Sequence, residues 1–208
     1  MIIDAATIDR DEAYKLLIGA VVPRPIAWVT TLNRLGKVNA APFSCYTFVS
    51  SAPPMLAISV GRLRGELKDT ARNARDGGDF VVNVADASQV GPLHQSSAEY
   101  PSDVSEAELL GLETIPSIAV RTPRIAIAPV SMECRFDRII EFGAQRSQLL
   151  IGEVLRFHVR DDLYRDGKID SVALSPLGRL GGPRYTTLGE VITMPPASAG
   201  PPVTKEKL

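Results

Sequence analysis

The chain has 208 residues, 45% apolar and 23% charged, which excludes disorder as its main state and supplies enough apolar material for a sizeable core. Twenty-three Lys and Arg against 24 Asp and Glu leave a net charge of −1, without the basic excess that a dedicated nucleic-acid binder needs. Two lone cysteines, Cys45 and Cys134, and two histidines, His94 and His158, stand in no ligand spacing, so neither a disulfide framework nor a metal site is expected.

The first residues lack a basic region followed by an apolar run, and no apolar stretch approaches the ~20 residues of a membrane span. A soluble, cytoplasmic protein is expected. Residues 9–20 read as a helix with Ala13, Leu16, Leu17 and Ala20 on one face. Pro23 and Pro25 stop it and hold Arg24 in an extended segment. Residues 26–32 form a strand, residues 33–37 a turn with Gly36 available for positive φ, and residues 38–49 resume extended structure as the second arm of a hairpin. Pro53 and Pro54 precede a further strand over residues 55–61. A polar helix follows over residues 67–76, ended by Gly77 and Gly78. Residues 80–84 form a short buried strand.

Residues 86–124 are short helices and loops; Ser105 and Glu108 have capping-box spacing, and Gly111 stops that turn. Residues 126–140 alternate, with Ala128, Val130, Met132, Cys134 and Phe136 on the core side and Ser131, Glu133, Arg135 and Asp137 on the solvent side. Residues 149–159 form another strand, and Asp166-Gly167 marks a tight turn before residues 169–174. The tail from Pro195 has four prolines and no aromatic residue, and cannot build a core. One domain over residues 1–194 and a proline-rich tail over 195–208 are expected. The elements favour an antiparallel barrel with helical insertions over a βαβ sheet.

Two segments have chemistry to offer. Lys68 and Thr70 stand in the first turn of a helix, where free N–H groups and the positive dipole end suit an anion; an ordinary helix start at Asp69 is the other reading. Asn39, Ala41, Pro42, Phe43 and Ser44 put small residues beside a strand, either to let a flat ligand approach the backbone or to bend a barrel corner. Thr30 and Thr31 share that ambiguity. His158 reads as a surface residue, and His94 opens a loop without a fixed partner. Glu153 falls on an apolar face, and pairing with an arginine is expected. Cys134 reads as core, and Cys45 has no neighbouring base.

Taken together, several segments resemble the flavin reductase-like, FMN-binding split-barrel family. They are Pro23-Arg24-Pro25-Ile26-Ala27-Trp28-Val29-Thr30-Thr31, Asn39 with Ala41-Pro42-Phe43-Ser44, Pro53-Pro54, Ser59-Val60-Gly61 and Lys68-Asp69-Thr70 with Asn73. Phe80-Val81-Val82-Asn83, Ser96-Ser97, Glu133-Cys134, Ile151-Gly152-Glu153-Val154 and Gly178-Arg179-Leu180-Gly181-Gly182 with Tyr185 continue the order.

The resemblance implies a mainly β fold, a six-stranded antiparallel Greek-key split β-barrel, in a homodimer with one FMN per subunit. It places the phosphate at Lys68 and Thr70, with Ser59, Gly61 and Arg62 nearby. Arg24, Thr30, Thr31, Ala41, Pro42, Phe43 and Ser44 would line the rest of the flavin. The implied activity is FMN-dependent oxidoreduction, with NADH or NADPH as hydride donor and free flavin or a partner flavin-dependent oxygenase as acceptor. No protein catalytic residue is expected, since the cofactor carries the redox chemistry. In many reductases of this family a Gly-Asp-His run precedes the strand ending in Gly-Glu-Val; here Gly143-Ala144-Gln145-Arg146-Ser147-Gln148 has no histidine. An FMN electron carrier that does not use nicotinamide is therefore the alternative.

Overall fold

The structure, a computed structural model, describes residues 1–63 and 65–196. The expected tail falls outside the described residues from position 197 onward. Helix α1 spans Arg10–Ala20 and opens with a full capping box between Asp9 and Glu12. It buries no residue, and Leu16 and Leu17 remain 45% and 62% exposed. Its apolar stripe faces outward.

Seven strands form one antiparallel sheet: β1 (Ala27–Leu32), β2 (Val38–Phe43), β3 (Tyr46–Ser51), β4 (Pro54–Ser59), β5 (Asp79–Val84), β6 (Val130–Phe142) and β7 (Ser147–Val159). Their order across the sheet is β2-β1-β5-β6-β7-β4-β3. The resemblance implied six. Edge strand β3 is exposed at four of its six positions.

The two edges of this sheet, β2 and β3, are consecutive in the chain and separated by Ser44 and Cys45 alone. Laid flat, seven strands would hold their edges about 29 Å apart. The chain from Phe43 to Tyr46 reaches at most about 11 Å. The sheet therefore curls to bring its edges together at this corner, where the Ser59 N–H donates to the Cys45 carbonyl at 2.8 Å and extends the β3–β4 pairing by one residue. Residues 38–49, expected as one extended arm, instead break at the corner and serve opposite edges.

The concave face holds the main core, with Val29, Phe43, Ile58, Phe80, Cys134 and Leu150 contributed from six strands. Helix α2 (Asp69–Gly77) adds Ala71 and Ala74 to it and ends on Gly78 at φ +82°. A second cluster around Trp28, Leu93, Ile125 and Leu177 lies under the irregular segments. Those segments explain a departure from the expected pattern in β6: Ser131 and Glu133, read as solvent-facing, are buried. Glu133 accepts from the N–H groups of Ile118 and Ala119 at 2.8 and 2.6 Å. His158, read as a surface residue, lies 2.5 Å from the Glu133 carboxylate through Nε2. Glu153 does pair with Arg135, at 2.5 Å, but is only half-buried. Asn83 joins strand and segment: its Oδ1 accepts from Ile125 N–H and the Ser131 hydroxyl, and its Nδ2 donates to the Trp28 carbonyl.

Gly152 of β7 faces the Phe80 ring so closely that a Cβ there would lie 2.4 Å from Phe80 Cζ. Phe80 is fully buried and cannot swing away. Gly152→Ala is therefore expected to cost about 1–3 kcal/mol in denaturant unfolding through overpacking. Adding Phe80→Leu should recover part of that loss, so the double variant falls short of additivity; strict additivity would show the contact is not the cause.

Candidate cofactor site

Two adjoining clefts share Pro42, Lys68 and Ser97 and make one groove along the outer end of β2. Ala41, Pro42 and Phe43 form one wall, and the first turn of α2, with Lys68, Asp69 and Thr70, forms another. Residues 96–100 close over it, and Glu106 and Asn39 lie at its base. Arg24, Ser44 and Arg179 line the far end.

Helix α2 starts without a side-chain cap: Lys68 occupies the N-cap position and its side chain makes no capping bond. The first-turn N–H groups thus stay available to an anion in the groove. Lys68 Nζ lies 5.7 Å from the centroid of the Phe43 ring, so the cation rests on the groove's aromatic wall.

A buried polar network holds this arrangement from behind. Asn39 Nδ2 donates to Glu106 Oε1 at 2.6 Å, and the Ala40 N–H donates to Oε2 at 3.2 Å. Asn39 Oδ1 accepts from the Thr70 hydroxyl at 3.0 Å and the Thr31 hydroxyl at 3.2 Å. Strand β2 and helix α2 are thereby locked in register. Burial pushes the Glu106 carboxyl above its usual value, against the hydrogen bonds that favour its charge.

The expected site residues divide into three groups. Ala41, Pro42, Phe43, Ser44, Lys68 and Thr70 are brought together in the groove, with Arg24 at its end. Arg24 is occupied: its guanidinium donates to the Ile18 and Val21 carbonyls, both at 2.8 Å, to Leu180 O at 3.0 Å and to Ser44 Oγ at 3.3 Å. Thr30 and Thr31 are fully buried; the Thr30 hydroxyl donates to Pro123 O at 2.8 Å. Ser59, Gly61 and Arg62 lie along the exit of β4. Arg62 reaches the tip of the β6–β7 hairpin, where Nη2 meets Glu141 at 2.5 Å and Nε donates to the Arg146 carbonyl at 2.9 Å. Arg146 is also bound to Glu141, at 2.7 Å, and with Arg62 and Gln148 holds that carboxyl down at about 2.

Sequence reasoning missed Glu106, Tyr100 and Tyr14 as groove residues. Only the Ser105 cap marked the turn that carries Glu106; nothing local marks its burial. His94, left without a partner, contacts the Tyr185 hydroxyl through Nδ1 at 2.9 Å, and Arg179 Nη1 donates to the same oxygen at 2.6 Å.

Residues 19–173 match the family model described as flavin reductase like domain. The chain is 44% identical over 199 residues to YwrF of Bacillus subtilis, covering 93% of this chain and 97% of that one. Among solved structures it resembles nitrilotriacetate monooxygenase component B from Bacillus cereus, with 39% identity and a TM-score of 0.90 over 93% of this chain and 98% of that one. It also resembles the 2-nitrobenzoate 2-nitroreductase NbaA of Pseudomonas fluorescens, with 32% identity and a TM-score of 0.85 over 96% and 100%.

The raised Glu106 carboxyl has a pH signature. Folding keeps it protonated in a window above its usual 4.5, where the unfolded chain has released the proton, so its contribution to stability is lost as pH rises through that window. Glu106→Gln should therefore gain on the wild type, in melting temperature, as pH rises from acid to neutral. A difference that stays constant with pH would contradict the raised value.

Proposed function

The chain belongs to the flavin reductase-like family, and from that premise we propose that it is an FMN-dependent oxidoreductase taking hydride from NADH or NADPH. The observation that carries this reading is the uncapped start of α2 with Lys68, opening on a groove whose other wall is Ala41, Pro42 and Phe43. The donor set fits a phosphate monoester joined to a flat ring system: one ammonium, free backbone N–H groups and a wall that combines small side chains with the flat Phe43 ring.

Lys68, with the N–H groups of the first α2 turn, would hold the phosphate. Residues 41–44 would hold the ring edge through backbone groups and the Ser44 hydroxyl. Thr70 and Thr31 fix Asn39, and so the spacing of the two walls. Arg24 holds Ser44 at the end of β2, and Thr30 ties the middle of β1 to the Pro123 carbonyl. Ser59, Gly61 and Arg62 set the path of the chain into Lys68. When bound, the flavin supplies the two-electron chemistry, and the protein contributes position, charge and exclusion of water.

The electrons would pass to free flavin or to a partner oxygenase. Support for the latter comes from the likeness to a protein named as component B of a monooxygenase. A homodimer is part of the proposal. Phe48 and Val49, 75% and 53% exposed on edge strand β3, and the outward stripe of α1 give apolar surface that a second copy would cover. One observation favours the electron-carrier reading instead. The hairpin tip at residues 143–148 has no imidazole, and its arginine is bound to Glu141.

Two measurements test the proposal. Lys68→Ala should weaken FMN binding roughly tenfold or more, since a charge-assisted contact is worth about 1.5–3 kcal/mol, while riboflavin binding stays nearly unchanged. Equal losses for both ligands would mean that Lys68 serves the fold. Anaerobic stopped-flow mixing of the flavin-loaded protein with NADH or NADPH should show slow, measurable bleaching with a high apparent KM. No bleaching at millimolar nicotinamide, with dithionite still reducing the flavin, would favour the electron carrier.

A further inference from the structure

The far end of the groove, about 360 Å3, is lined by three cations, Arg24, Lys68 and Arg179, and by no carboxylate. Arg24 is saturated by three backbone carbonyls and the Ser44 hydroxyl. Lys68 rests on the Phe43 ring and serves the phosphate in the reading above. Arg179 is the cation that this reading leaves without a task.

Its head group is fixed at two of its three nitrogens. Nε donates to the Gly182 carbonyl at 3.0 Å, and Nη1 donates to the Tyr185 hydroxyl at 2.6 Å. The guanidinium carbon stands 4.6 Å from the centroid of the Tyr185 ring, and His94 Nδ1 lies 2.9 Å from the Tyr185 hydroxyl. Nη2 has no partner among the described residues, and it keeps accessible surface, since it is absent from the buried atoms left unpaired. A guanidinium held in this way is set to meet an acceptor in the groove.

A flavin ring has two unlike ends: one carries carbonyls and ring nitrogens, the other two methyl groups. Cations with no carboxylate beside them select the carbonyl end. The Ser44 oxygen accepts from Arg24 Nε, so its own proton is still free to donate there. Hydride uptake brings the ring two electrons and one proton and leaves one negative charge, shared by N1 and the adjoining carbonyl. A guanidinium already in place favours that charge without reorganisation. We propose that Arg179 faces the carbonyl end of the flavin ring and raises its reduction potential, with Tyr185 as the positioning residue that aims it. Arg179 has this role only if the groove holds a flavin, as proposed above.

Dissociation constants of oxidised and dithionite-reduced FMN, measured anaerobically on the full chain, test it. The wild type is expected to bind the reduced form more tightly than the oxidised form. Arg179→Gln should weaken the reduced form about tenfold more than the oxidised form, which lowers the potential of the bound two-electron couple by about 30 mV. Arg179→Lys should retain part of the difference, and Tyr185→Phe should fall between the wild type and Arg179→Gln. Riboflavin should show the same Arg179→Gln shift, because the phosphate takes no part in it. Equal weakening of both redox states by Arg179→Gln would overturn the assignment and leave Arg179 a simple binding or folding contact. Should the variants fail to fold, the wild type decides, since tighter binding of the oxidised form overturns it too. A chain that binds neither form ends the flavin reading and this one with it; flavin bound with an unmoved ratio ends this one alone.

Discussion

Two residues, Ser44 and Cys45, join the opposite edges of a seven-stranded sheet, and that covalent tether shapes both the core and the groove. A sheet with its edges tied must curl, and its concave face becomes the main core. The tether alone would leave a loose corner. Arg24 fixes it by gathering carbonyls from the end of α1 and from Leu180 while its Nε reaches Ser44. Those carbonyls at the helix end would otherwise lack donors, so one guanidinium serves both the helix terminus and the corner.

The groove is a consequence of this corner. Residues 41–44 line it on one side, Phe43 with its ring and the others with small side chains, and the start of α2 lines it on the other. The distance between these walls is set by Asn39, whose amide meets Glu106 on one side and two threonine hydroxyls on the other. Such a network is expensive if any member is missing, and fully satisfied it specifies one arrangement. Asn83 plays the matching part on the convex side, tying β1, β6 and the segment at Ile125.

The strands were largely legible in the sequence because period-two alternation survives wherever one face meets the core. Alternation failed in the first half of β6, where distant residues 118 and 119 cover the outer face and bury Glu133; no local pattern encodes that cover. The same distance hid the fate of His158. Residues 38–49 looked continuous because both arms are extended, and a two-residue break between opposite sheet edges leaves no compositional mark. Local chemistry singled out Lys68, Thr70 and residues 41–44 but left each open between a ligand contact and an ordinary helix start or barrel corner; the structure lines one groove with them. The engagements of Thr30, Arg24 and Arg62 were not legible, because each includes a partner far along the chain: Pro123, Leu180 and Arg146 respectively.

The central claim is that the groove between residues 41–44 and the start of α2 is where this chain holds a flavin. A crystal structure of the protein grown with FMN tests it most directly. The phosphate is expected within hydrogen-bond reach of Lys68 Nζ and the first α2 N–H groups, with the ring edge along residues 41–44. A flavin ordered elsewhere on the chain, or a phosphate turned away from Lys68, would contradict it.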